Sequence, residues 1–170
     1  MQRLVVGMTG ASGVILGIRL LQALKGAEVE THLIMSKWAQ QNVEHETNWS
    51  VRQVRALATE CYGPGDMGAP ISSGSFLTDG MAIVPCSVGS LAAIAQGQSQ
   101  SLVHRAADVV LKERRRLVLA VRETPLSEVH LENMLKLARM GVTILPPMPA
   151  FYNHPWVIED IVEHIVVRLL

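Results

Sequence analysis

Five stretches of this chain carry residue types that can do chemistry. The first is Thr9-Gly10-Ala11-Ser12-Gly13, which sits between an apolar run and a helical pattern. Glycines let a backbone turn tightly and approach a ligand closely. The free N–H groups and the dipole of the following helix suit a phosphate, and Ser12 adds a hydroxyl. The spacing is not GxGxxG. No acid closes the second apolar run to hold a ribose, because Glu28 and Glu30 precede its apolar part. If a ligand binds here, a mononucleotide fits better than a dinucleotide; the alternative is a tight turn that binds nothing. Ser72-Ser73-Gly74-Ser75-Phe76 and Pro85-Cys86-Ser87-Val88-Gly89-Ser90 are two more small, hydroxyl-rich stretches. Each offers hydroxyls and bare amides to a phosphate or to the edge of a flat heterocycle, or is a surface loop with a helix cap. No histidine is visibly placed to activate Cys86, so it reads as a buried thiol rather than a nucleophile.

Charge supplies the fourth stretch. Six of the fifteen basic residues lie between Arg105 and Arg122, against two acids, Asp108 and Glu113. Arg105, Asp108, Lys112 and Arg115 follow i, i+3/i+4 spacing and can share one helix face. Such a face is either solvated or binds phosphate. Arg122-Glu123 follows a strand pattern, where Arg can clamp phosphate and a tuned Glu can move protons, or the two can simply pair. The fifth stretch, Pro146-Pro147-Met148-Pro149-Ala150-Phe151-Tyr152, is a proline-stiffened loop carrying one hydroxyl on an apolar body. None of the six histidines forms HExxH, and no metal site is expected.

These groups need elements to position them. Apolar runs at 4–8, 29–35, 81–85, 116–121 and 142–145 read as buried strands, and helical spacing follows most of them. Helices are expected over about 14–24, from Ser36 to about 43, and over about 89–95, 106–113, 127–137 and 156–169. Residues 47–60 are ambiguous and 61–80 read as a long loop. Strands that are apolar throughout and alternate with helices indicate a doubly wound α/β domain, Rossmann- or flavodoxin-like, with three layers and one domain over 1–170. Ligands in such folds bind at the carboxyl ends of the strands, where TGASG, MSKWA, PCS, RETP and PPMPAFY would converge.

Composition sets the outer bounds. The chain has 170 residues, with 15 Lys+Arg against 15 Asp+Glu, 49% hydrophobic and 18% charged. That charged fraction is below the average of about 25%. Disorder is excluded. Zero net charge and only three Trp, two Tyr and two Phe give no support to nucleic-acid binding. A low charged fraction also fits a surface covered by other subunits. The start has no signal-peptide layout and no apolar run reaches about 18 residues, so no membrane is expected and the cytoplasm is the simplest location. Cys61 and Cys86 suggest no disulfide.

Taken together, the ordered segments Met8-Thr-Gly-Ala-Ser-Gly13, Ser73-Gly-Ser75, Pro85-Cys-Ser87, Arg105-Ala-Ala-Asp108, Leu111-Lys-Glu-Arg-Arg115, Arg122-Glu-Thr-Pro125, His130-Leu-Glu-Asn-Met134 and Pro149-Ala-Phe-Tyr152 resemble the flavin prenyltransferase family, the UbiX/Pad1-like proteins. Met35-Ser-Lys-Trp-Ala39 and the closing PPMPAFYNHP resemble the branch found beside phenolic acid decarboxylases. The resemblance covers essentially the whole chain. It implies transfer of a dimethylallyl group from dimethylallyl monophosphate to N5 and C6 of reduced FMN, without metal, with the product used by a UbiD-type decarboxylase. It implies a homo-oligomer, a dodecamer, with sites between subunits.

Carried over residue by residue, the resemblance implies that Gly10, Ala11, Ser12, Ser36, Ser87, Val88, Gly89, Ser90 and Arg122 hold FMN. Arg105, Lys112, Tyr152 and Arg168 would grip the donor's phosphate. Ser12, Glu46 and Glu123 would be catalytic, with Glu123 and Ser12 relaying protons. One departure is visible. Many members carry a Trp shortly before the SGS segment, placed against the prenyl group, whereas this chain reads Asp66-Met67-Gly68-Ala69-Pro70. Met67 or Phe76 are the residues that could fill that space. The chain closes two residues after Arg168, which would leave the donor site open on that side. The alternatives are an FMN-binding carrier subunit and a relative of the flavin-dependent cysteine decarboxylases. ISSGSF and PPMPAFY stand where those decarboxylases carry their own motifs.

Overall fold

The computed structural model describes residues 2–170. Six strands form one parallel sheet: β1 (Arg3–Met8), β2 (Glu30–Met35), β3 (Glu60–Tyr62), β4 (Gly80–Cys86), β5 (Arg116–Val121) and β6 (Thr143–Ile144). Their order is β3-β2-β1-β4-β5-β6. The helices are α1 (Val14–Gly26), α2 (Lys37–Glu46), α3 (Val51–Arg55), α4 (Val88–Ala95), α5 (Leu102–Lys112), α6 (Glu128–Arg139) and α7 (Ile158–Leu169). The expected doubly wound, three-layer domain is present.

The layers follow from which strand face each helix covers. Val5, Ile34, Met81, Ile83 and Leu119 join α4, α5 and α6 in one core cluster. Val6, Leu33, Met35, Val84 and Ala120 join α1, α2, α3 and α7 in the other. Alternate strand residues point to opposite faces, and both faces are covered, so the strands lack a polar face. Each fully buried Leu or Ile contributes about 1.5–3 kcal/mol. Gly17 lets α1 lie close to the sheet, since a Cβ there would stand 2.4 Å from the Val84 carbonyl oxygen.

Three elements depart from the sequence reading. The ambiguous segment 47–60 holds α3, started by a Ser50–Gln53 capping box. The stretch read as a loop from 61 begins inside β3, which pairs His32↔Glu60 through Ile34↔Tyr62. β3 is three residues long and mostly exposed, so it carries no apolar run to signal it. α5 begins four residues before Ala106, because Ser101 caps it by accepting from the His104 amide at 3.4 Å. No helix among the described residues is long and apolar enough to cross a membrane.

Candidate active site

Every strand is parallel, so the segments after β1, β2, β4, β5 and β6 leave from one edge of the sheet. The strand order reverses between β1 and β4, and crevices open at such points. A cleft of about 330 Å³ lies there, lined by Thr9, Gly10, Ser36, Trp38, Ser87, Gly89, Ser90, Ser101, Val103 and His104. From Ser36 after β2 to Arg122 after β5 spans three strand spacings, about 14 Å.

The cleft floor is a fixed hydrogen-bond chain. Thr9 Oγ1 donates to the Pro85 carbonyl at 3.1 Å and accepts from the Ser87 amide at 2.8 Å. Ser87 Oγ caps α4 by accepting from the Ser90 amide at 3.2 Å and donates to Ser90 Oγ at 3.3 Å. Ser90 Oγ lies 3.1 Å from His104 Nε2. Ser36 caps α2, accepting from the Ala39 amide at 3.1 Å. Ser36 and Ser87 therefore serve as helix caps worth about 1 kcal/mol each and also face the cleft. Gly10 is exposed, and a Cβ on it would meet Trp38 Cβ at 2.7 Å, so glycine here is what lets Trp38 pack against this turn. Hydroxyls beside Trp38 and Val103 suit a flat heteroaromatic ring with a polar edge, so the lining fits a flavin.

Ser12 is exposed, and Ala11 beside it is buried. Gly13, the N-cap of α1, has no side chain to cap with. Glu46 does this instead: its Oε2 accepts from the Gly13 amide at 2.9 Å and the Val14 amide at 3.3 Å. In this chain Glu46 therefore holds the anion-attracting start of α1. Arg122 and Glu123 are both exposed at the end of β5. They do not pair; Glu123 Oε1 accepts from the Thr124 amide at 2.9 Å, and the Arg122 amide donates to the Cys86 carbonyl at 3.1 Å.

The four residues expected on the donor phosphate fall in two places. Arg105 pairs with Asp108 at 2.8 Å and donates to the Ser72 carbonyl at 3.1 Å. Lys112 pairs with Glu113, and that bond holds the Glu113 carboxyl below the usual carboxylate range. Both bases lie on α5, on one face of the sheet. Arg115 falls beyond the end of α5 and donates to the Gly74 and Phe76 carbonyls, so it fixes the SGS loop rather than joining a ligand-facing stripe. Tyr152 and Arg168 share a pocket of about 270 Å³ with Leu145, Pro146, Met148, His164 and Ile165. Arg168 belongs to α7, in the layer on the opposite face. The two α5 bases and Arg168 therefore lie in different layers of this chain.

Phe76 does not fill the space left by the absent Trp in this chain's own cleft. It packs edge-on to His32, with ring centroids 5.1 Å apart, and lies under the Arg3 guanidinium at 4.4 Å. Arg3 opens β1, so this cluster sits at the amino edge of the sheet. Met67 is exposed. Cys86 is fully buried, and burial pushes its thiol up to about 12, which leaves it inert; both cysteines are free. No group of three or more His, Cys, Asp or Glu able to hold a metal ion is found among the described residues. Thr9, Trp38, Ser101 and His104 line the cleft yet were not among the expected site residues. Thr9 directly follows the β1 run. His104, on a helix that the spacing placed two residues later, carried no signal.

The chain matches the Flavoprotein family model over residues 1–170. It is 63% identical over 169 residues to a probable UbiX-like flavin prenyltransferase of Streptomyces sp. (strain D7), covering 99% of this chain and 84% of that protein. Among solved structures it is similar to a dodecameric FMN-dependent UbiX-like decarboxylase from Escherichia coli O157:H7. That likeness is 60% identity and a TM-score of 0.98, over 99% of this chain and 93% of that one. It is also similar to AnUbiX (PadA1) in complex with FMN and dimethylallyl pyrophosphate, at 55% identity and a TM-score of 0.98, over 99% and 90%. The peptidyl-cysteine decarboxylase EpiD, at 16% identity and a TM-score of 0.66, shares the fold alone.

Proposed function

Because the chain belongs to the Flavoprotein family and, within it, to the UbiX-like flavin prenyltransferases, we propose that it joins a dimethylallyl group from dimethylallyl monophosphate to N5 and C6 of reduced FMN. The observation that carries this reading is the hydroxyl-lined cleft at the β1/β4 reversal, which fits a flavin. The product would serve a UbiD-type decarboxylase, and the reaction would run in the cytoplasm.

Reduced FMN, when bound, supplies the nucleophilic ring positions and a π-rich surface against which positive charge on the prenyl group is tolerated. The chain's own residues do the rest. Gly10, Ala11, Ser12, Ser36 and the Ser87–Ser90 segment hold the ring, and Arg122 holds the flavin's phosphate or nearby oxygens. Breaking the allylic C–O bond releases phosphate with the bonding electron pair. Arg105, Lys112 and Arg168 stabilise that departing charge as a metal ion would, and Tyr152 orients it. Glu123 and Ser12 pass the proton that ring closure sets free. Glu46 keeps one carboxylate oxygen for the donor site while the other caps α1.

Arg105 and Lys112 lie across the sheet from Arg168, so the donor site is composite, with the α5 bases contributed to a neighbour's flavin in an oligomer. The outward residues of α6, Val129, Leu131 and Leu135, are more than half exposed, as an interface helix would be in an isolated chain. A dodecamer would cover such surfaces. The test is anaerobic incubation with reduced FMN and dimethylallyl monophosphate. The expected result is a new flavin heavier by one dimethylallyl unit; bound FMN with no adduct would favour a carrier.

A further inference from the structure

His104 stands out in the cleft. Its Nδ1 is shut away from solvent with no hydrogen-bond partner, and buried polar atoms without partners are uncommon. Its other nitrogen, Nε2, lies 3.1 Å from Ser90 Oγ. Ser87 Oγ donates to Ser90 Oγ, so the Ser90 hydroxyl hydrogen is free to donate onward, and Nε2 is there to accept it. An accepting Nε2 requires the tautomer with the ring's single proton on Nδ1. Burial lowers the His104 pKa, in keeping with a neutral ring.

The direction of this chain decides what the cleft offers. A hydroxyl has one donor and two acceptor positions. Ser87 Oγ spends its hydrogen on Ser90 and one lone pair on the Ser90 amide. One lone pair remains, so toward the cleft Ser87 is an acceptor. An isoalloxazine ring carries bare nitrogens at N1 and N5 when oxidised and gains N–H character there when reduced. We propose, resting on the flavin reading of this cleft, that His104 is a positioning residue: by accepting from Ser90 it turns the Ser87–Ser90 hydroxyls inward and makes the cleft favour the reduced, prenyl-accepting flavin over the oxidised one. Without His104, the Ser90 hydroxyl loses its acceptor and can donate back to Ser87, whose own hydrogen then points to the ligand.

The test is the midpoint potential of FMN bound to the full chain, titrated anaerobically with dithionite and a reference dye, beside the Kd for oxidised FMN. His104→Leu is expected to lower the preference for reduced over oxidised FMN about tenfold, which moves the potential about 30 mV more negative. Ser90→Ala keeps the Ser87 cap on α4 but frees the Ser87 hydrogen, and should give the same shift. The double variant should shift no further than either single change. His104→Gln, whose carbonyl can still accept from Ser90, should restore the potential. Potentials unchanged in both His104→Leu and Ser90→Ala overturn the inference alone. A wild-type chain that binds no FMN overturns the flavin reading of the cleft itself.

Discussion

The two halves of the candidate site are built differently. On the proposed flavin side, Thr9, Ser87 and Ser90 form one chain of hydrogen bonds between strand ends and a helix start, and Ser36 separately caps α2. Its groups are held by the same contacts that hold the fold. The proposed phosphate side, Arg105, Lys112, Tyr152 and Arg168, is spread over two layers, and its charges face solvent or local partners. The strand-end cleft is lined within one chain. A cluster of like charges is costly to assemble without its counter-ion, and here one chain leaves it unassembled. Binding the ring and binding the leaving group are thus separable tasks.

That separation predicts separable defects. The largest effect should come from Arg168→Ala and from Arg105→Ala, each lowering turnover about 10²- to 10³-fold, the scale of removing one transition-state donor, while FMN affinity stays near wild type. Loss of FMN binding in either variant would join the two halves and break the comparison. Mixing inactive Arg105→Ala and Arg168→Ala chains should restore part of the activity if the bases are shared between subunits.

A smaller effect is expected at the flavin side. Gly10→Ala sets a Cβ at 2.7 Å from Trp38 Cβ and should cost about 1–3 kcal/mol of stability, read by denaturant titration, with FMN affinity falling because Trp38 is displaced into the cleft.

A further effect, confined to alkaline pH, lies behind the cleft. Cys86 is held neutral by burial up to about 12, whereas an unfolded thiol ionises near 8.5. The sign follows from proton counts: between those values the unfolded chain has lost the proton and the native chain keeps it, so stability falls as pH rises. Below the unfolded value the contribution is complete. Cys86→Ala should flatten this alkaline loss in unfolding measured from pH 8 to 11. In the native chain, a thiol reagent at pH 8 should modify Cys61, which is exposed, and leave Cys86 untouched.

Much of this site was legible before the fold. Buried parallel strands need unbroken apolar runs, so β1, β2, β4 and β5 declare themselves and place TGASG, Ser36, PCS and RETP on one edge. Ser36 and Ser87 cap α2 and α4, the preferred use of a hydroxyl placed just before a helix. β3 was not legible, because an edge strand of three residues carries no periodicity. Glu46 was legible only through the resemblance; its hold on the α1 amides joins residues 33 apart in sequence.

The sequence by itself determined the fold class and the row of loops at the carboxyl edge of the sheet, because these depend on local pattern and on chain order. The residues proposed for ring and phosphate came only through the resemblance. Only the tertiary structure decided which of them meet. It brought His104 of α5 to Ser90 of α4, sent Phe76 to the far edge under Arg3, and set the α5 bases and Arg168 on opposite faces of the sheet. Helix faces and loop returns are chosen by packing between distant segments, and no spacing along one chain records that choice.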